Sequence, residues 1–118
     1  MYEIFFYKTT SGKCPIEEFL DSLTSKQSQK VTWVLNLIEE FPSVPSKYFK
    51  KLVNTDDIWE VRVVFGSDIF RLLGFIENGQ LVMLNQAFQK KTQKTPRQEI
   101  KIAEKRKRDY FKERKFNE

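Results

Sequence analysis

The sequence contains no histidine, and that absence excludes more chemistry than any residue present suggests. Histidine is the side chain whose ordinary pKa lies nearest neutrality, so proton transfer must fall to carboxylates, lysines, arginines, tyrosines or backbone groups. There is a single cysteine, Cys14, which cannot form a disulfide within the chain. Without histidine beside it, the usual nitrogen and sulfur ligands of zinc are missing, and neither a metal site nor a cofactor is expected. Apolar runs are short as well. None approaches the roughly 20 residues of a membrane span, and the N-terminus lacks the basic, apolar, small-residue order of a signal peptide. The expectation is a soluble, cytoplasmic protein with no membrane partner.

What is present suffices for one core. The 118 residues, 40% of them hydrophobic, are expected to fold as a single domain spanning 1–118. The net charge of +5 is unevenly placed, because residues 1–89 hold 9 basic and 11 acidic side chains while residues 90–118 hold 12 and 5. A neutral body with a basic C-terminal third points to a polyanionic partner, nucleic acid first and an acidic protein second.

Residues 2–7, Tyr-Glu-Ile-Phe-Phe-Tyr, are aromatic and β-branched enough for a strand. Pro15 suits the first turn of a short helix to about Leu23, and Thr24 with Gln27 forms a capping box for a second. In that helix Val31, Val34, Leu35, Ile38 and Phe41 recur at helical spacing, and Pro42 stops it. Residues 42–57 read as a loop with an extended piece at Lys51 to Val53. Three apolar runs follow, Ile58 to Phe65, Asp68 to Ile76 and Gln80 to Phe88, separated by Gly66-Ser67 and Asn78-Gly79. These dipeptides suit two-residue hairpins of types II′ and I′. Thr95-Pro96-Arg97-Gln98, with a capping threonine, proline at the first helical position and glutamine at the third, then starts a helix to about Lys115, along which Lys101, Lys105, Arg108, Lys112 and Lys115 form one basic stripe. The fold class is α+β, with helices packed on a mainly antiparallel sheet. Trp33, Trp59 and most phenylalanines read as core, with Phe88 a candidate exception, and Cys14 as a weak cap or buried filler.

Counting outward from two-residue turns places Arg62 opposite Arg71, and Arg71 opposite Gln86, with Glu60 one step along on the same face. Like charges directly opposite cost on the order of a few tenths to 1 kcal/mol, so folding alone does not favour the arginine pair. Either Glu60 and another carboxylate neutralise it, or the register slips, or an anion binds there. Guanidinium forks match phosphate oxygens and stabilise charge that grows during phosphoryl transfer. The row leads into Lys90, Lys91 and Lys94, which either ring the same phosphate or form a solvated loop.

The string Ile58-Trp59-Glu60-Val61-Arg62, then Phe70-Arg71, then Phe88 and Lys90-Lys91-Thr92-Gln93-Lys94-Thr95-Pro96 resembles the phage-derived HigB-like branch of the RelE and ParE toxin superfamily over nearly the whole chain. The resemblance implies a compact RelE-like fold and a toxin that cuts mRNA on the ribosome by attack of the RNA's own 2′-hydroxyl on the adjacent phosphate, without a metal. It implies as partners the ribosome, mRNA and a cognate antitoxin of helix-turn-helix type. Arg62, Arg71, Lys90 and Lys91 would hold the phosphate, with Glu60 or a lysine of depressed pKa as base. Lys94, Arg97, Lys101, Lys105 and Arg108 would hold RNA. In many members histidine stands where Gln86 aligns, and glutamine hydrogen-bonds but takes up no proton. Two alternatives stay open: a ParE-like inhibitor of DNA gyrase that cuts nothing, and a toxin relative that binds RNA or antitoxin without catalysis.

Overall fold

The computed structural model describes residues 1–90 and 94–117, the last two by backbone alone. Among them the elements are β1 (Glu3–Phe6), α1 (Pro15–Asp21), α2 (Ser25–Glu40), β2 (Phe49–Lys51), β3 (Trp59–Phe65), β4 (Asp68–Glu77), β5 (Leu81–Lys90) and α3 (Arg97–Asn117). The strands form one mixed sheet in the order β1-β5-β4-β3-β2, antiparallel except where β1 runs parallel to β5. This is the expected α+β architecture with one strand added. The extended piece anticipated at Lys51 to Val53 is instead β2, pairing Phe49 with Val61 and Lys51 with Trp59. A strand of three residues has too little periodicity to announce itself.

Local chemistry sets most boundaries. The Thr24 box forms in both directions: Gln27 N–H donates to Thr24 Oγ1 at 3.2 Å, and Thr24 N–H to Gln27 Oε1 at 2.9 Å. α2 buries Val31, Val34, Leu35 and Ile38 as expected, whereas Phe41, at the C-cap beyond the last turn, is half exposed. Trp33 is likewise half exposed rather than core, lying edge-on to Tyr48. Cys14 is buried and its side chain makes no cap, so it is filler. α3 begins at Arg97, after Pro96, whose carbonyl accepts from Glu99 and Ile100.

The register departs from expectation in β5. Arg62 does stand opposite Arg71 across the Gly66-Ser67 hairpin. At the second hairpin Asn78 and Gly79 both have positive φ, and Gln80 N–H closes onto Glu77 C=O at 3.2 Å, as a type I′ turn requires. Yet Gln80 stays out of the ladder, which starts at Glu77 with Leu81. A bulge then inserts Asn85, so that Gly74 faces Leu84 while Leu73 faces Gln86. Gly74 permits this: a Cβ there would sit 2.0 Å from the Met83 carbonyl oxygen. Two slips of one residue restore the original face but move it along by two. Arg71 therefore faces Phe88, and Gln86 faces Leu73.

The sheet is covered on both sides. One face carries Val61, Val63, Phe70, Leu72, Val82 and Leu84, packed with Ile16 of α1 and the buried stripe of α2. On the other, Ile58, Leu73 and half-buried Phe88 pack against Ile100 and Ala103 of α3. The C-terminal half of α3 is pinned by Arg114 and the Tyr110 hydroxyl, both bonded to buried Glu77. Lys101, Lys105, Arg108, Lys112 and Lys115 remain exposed on its outer side. None of the described helices is long and apolar enough to cross a membrane.

Candidate active site

Where the N-terminus of α3 meets the edge of the sheet, a cleft of about 610 Å³ opens. Lys50, Leu52, Val53 and Asn54 line it from β2 and the loop after it, Arg71 from β4, and Lys94, Thr95, Pro96, Arg97 and Ile100 from the start of α3. Of these ten described residues four are cationic and none is acidic. Such convergence of positive charge against a partly apolar wall is a binding arrangement for an anion carrying an apolar group.

Beneath the cleft lies the group that holds Arg71. Glu60 is wholly buried; one carboxylate oxygen pairs with Arg71 Nη1 and the other accepts the Thr95 hydroxyl at 2.5 Å. With both oxygens engaged, Glu60 acts as counter-ion and anchor, joining β3, β4 and the start of α3. Thr95, read from sequence as a helix cap, is thereby diverted into the site. Arg62, opposite Arg71, has no carboxylate within ion-pair distance among the described residues, and its buried Nε has no hydrogen-bond partner.

Lys90 is buried on the same face of β5 as Phe88 and Gln86. Burial, then the charges of Arg71, Lys50 and Arg62, push its pKa down to about 8 against the opposing pull of Glu60. A lysine so placed is partly neutral near physiological pH and can accept a proton.

The anticipated residues thus divide. Arg71, Lys94 and Arg97 line the cleft, with Glu60, Arg62 and Lys90 clustered around Arg71. Gln86 is not among them. Its amide donates to Glu99 at 2.5 Å and its carbonyl accepts from Arg106 at 2.7 Å, so it ties β5 to α3. Lys101, Lys105 and Arg108 lie outside the cleft on the exposed side of α3, and Lys105 is paired with Asp109 at 2.9 Å. Lys91 lies outside the described residues. Sequence reasoning missed Lys50, Asn54 and Thr95; the Lys50-Lys51 doublet after aromatic Tyr48-Phe49 was the available hint of an edge strand with an outward cation. No group of three or more His, Cys, Asp or Glu among the described residues is arranged to hold a metal ion.

A family model described as phage derived protein Gp49-like (DUF891) matches residues 18–108. The chain belongs to that family. Gp49-like proteins are related to the RelE-type toxins of toxin-antitoxin systems. No curated protein matches the chain. The span matched by the Gp49-like model runs from α1 into α3 and contains every described residue of the cleft, while β1 lies before it.

Proposed function

We propose that this Gp49-like protein is the HigB-like toxin of a toxin-antitoxin pair and that it cuts mRNA engaged on the ribosome. The observation that carries the reading is the cleft itself, with four cations and no acid among the described residues of its walls and Arg71 fixed at its base by buried Glu60. In the reaction the 2′-hydroxyl oxygen attacks the adjacent phosphorus, the bond to the 5′ oxygen breaks, and a 2′,3′-cyclic phosphate and a 5′-hydroxyl result. Neutral Lys90 takes the 2′-hydroxyl proton, and the departing 5′ oxygen gains one from solvent. Arg71 and Arg62 stabilise the charge that grows on the phosphoryl oxygens, where fixed donors act most strongly. Lys50, Lys94 and Arg97 hold the flanking backbone, and the exposed stripe Lys101, Lys105 and Arg108 engages further RNA phosphate. Gln86 has no proton-transfer role in this scheme.

The test is induced expression in bacteria of the wild type beside the double variant Lys94→Ala with Arg97→Ala, whose side chains are exposed and leave the core untouched. Growth arrest with new, translation-dependent 5′ ends in mRNA, weakened in the double variant, supports the nuclease. Arrest with intact mRNA and blocked supercoiling replaces it by the gyrase inhibitor, and no arrest by a non-catalytic relative.

A further inference from the structure

Phosphate accounts for only part of the cleft. Lys50, Arg71, Lys94 and Arg97 suit an anion, but Leu52, Val53, Pro96 and Ile100 contribute apolar surface that a phosphate does not use. Val53 is 86% exposed, so its position is not explained by core packing. Asn54 follows it, lines the same cleft, and holds φ at +57°, the left-handed region that asparagine tolerates better than most residues.

The segment carrying these residues is braced. Leu52 N–H donates to Ile58 C=O at 2.8 Å, closing the loop at its base. The Thr55 hydroxyl donates to Leu52 C=O at 2.9 Å and accepts from Ile58 N–H at 3.1 Å. From α3, Glu104 accepts from Asp56 N–H at 2.9 Å and Lys107 donates to Asp56 C=O at 2.7 Å. Lys51 pairs with Asp57 at 2.6 Å. A loop fastened at its base and to α3 presents Val53 and Asn54 in a fixed position, and pre-organisation of this kind lowers the entropic cost of binding.

We infer that the Leu52-Val53-Asn54 wall is a nucleobase subsite, with Asn54 reading the edge of the base whose phosphate the cations hold. This deepens, and rests on, the reading of the cleft as an RNA site. A heterocycle offers a flat apolar face and a polar edge. Val53 and Pro96 match the face, and a side-chain amide, carrying both donor and acceptor, matches the edge. Single-stranded RNA is the form whose bases can be splayed into such a slot.

The experiment uses the intact protein and five probes, ribose 5-phosphate and the four nucleoside 3′-monophosphates, with binding followed through the Val53 methyl and Asn54 side-chain amide resonances. At least one nucleotide is expected to bind roughly tenfold or more tighter than ribose 5-phosphate, the scale of one base stacked on a protein. Asn54→Gly, which keeps the left-handed backbone, should collapse the ranking of the four bases. Asn54→Asp, which loses the donor, should shift that ranking toward bases that present an amino group. Equal affinity for ribose 5-phosphate and all nucleotides, or a ranking unchanged in both variants, overturns the subsite. Mapping cut sites in mRNA separates this from the function proposed above: cutting whose base preference survives Asn54→Gly overturns the subsite alone, and nucleotide discrimination without any cutting overturns the nuclease alone.

Discussion

Arg62 and Arg71 are direct cross-strand neighbours, yet among the described residues the buried carboxylate of Glu60 ion-pairs with Arg71 and not with Arg62. The two guanidiniums therefore differ in role despite their symmetry in the ladder. Arg71 is fixed by a buried partner, and Arg62 supplies positive charge that the described protein groups leave uncompensated.

That difference is measurable by denaturation. Arg62→Ala should be neutral or stabilising, by up to about 1 kcal/mol, because it removes a like-charge pair. Arg71→Met should cost about 3 to 5 kcal/mol, since it strands a buried carboxylate, and adding Glu60→Leu should restore most of the loss. Urea midpoints of the three variants decide it; similar losses for Arg62→Ala and Arg71→Met would show that Glu60 does not distinguish them.

Lys90 gives a pH signature. Its pKa is pushed down to about 8 in the folded protein, below its ordinary value of 10.5. Between those values the unfolded chain binds more protons, so stability should rise with pH from about 8 to 10.5. Below pH 8 the folded state carries a penalty of up to roughly 3 kcal/mol for keeping the ammonium there. Lys90→Met should be more stable at pH 7 and lose the rise. For cleavage the neutral form is the active one, so kcat/KM, which reports the free enzyme, should climb with pH and level off near 8. A flat wild-type profile across pH 6 to 9 would remove Lys90 as base.

Gln86 should behave as a structural residue. Gln86→Ala leaves Glu99 and Arg106 without the partner they share and should lower stability by about 1 to 3 kcal/mol. Cleavage per folded molecule should not change. Gln86→His should likewise add no activity, because the side chain faces Leu73 and α3 instead of Arg71. A gain of toxicity in Gln86→His, followed by growth assay, would place the position back in the reaction.

Gly74 should tolerate no side chain. Its Cβ would lie 2.0 Å from Met83 O and 2.8 Å from Leu84 Cα, both backbone and unable to swing aside. Gly74→Ala is expected to cost about 1 to 3 kcal/mol or more, read by thermal melting, because β4 and β5 must separate at the bulge. An unchanged melting temperature would mean that the bulge relaxes freely.

The sequence by itself determined what neighbours in the chain decide. The capping box at Thr24, the type I′ turn at Asn78-Gly79, the opposition of Arg62 and Arg71 across a two-residue turn, and the exposed basic stripe of α3 all follow from local dihedral preference and periodicity. Tertiary structure decided the rest. The slips at Gln80 and Asn85 depend on the close approach that Gly74 allows and on α3, which holds Gln86 from 13 and 20 residues away. Thr95 turned from helix cap to ligand of Glu60 across 35 residues, and Lys50 reached the cleft only because a three-residue strand found β3. A ladder can slip by one residue with little local cost, so its register is settled by what packs on each face, and that is known only once distant segments have met.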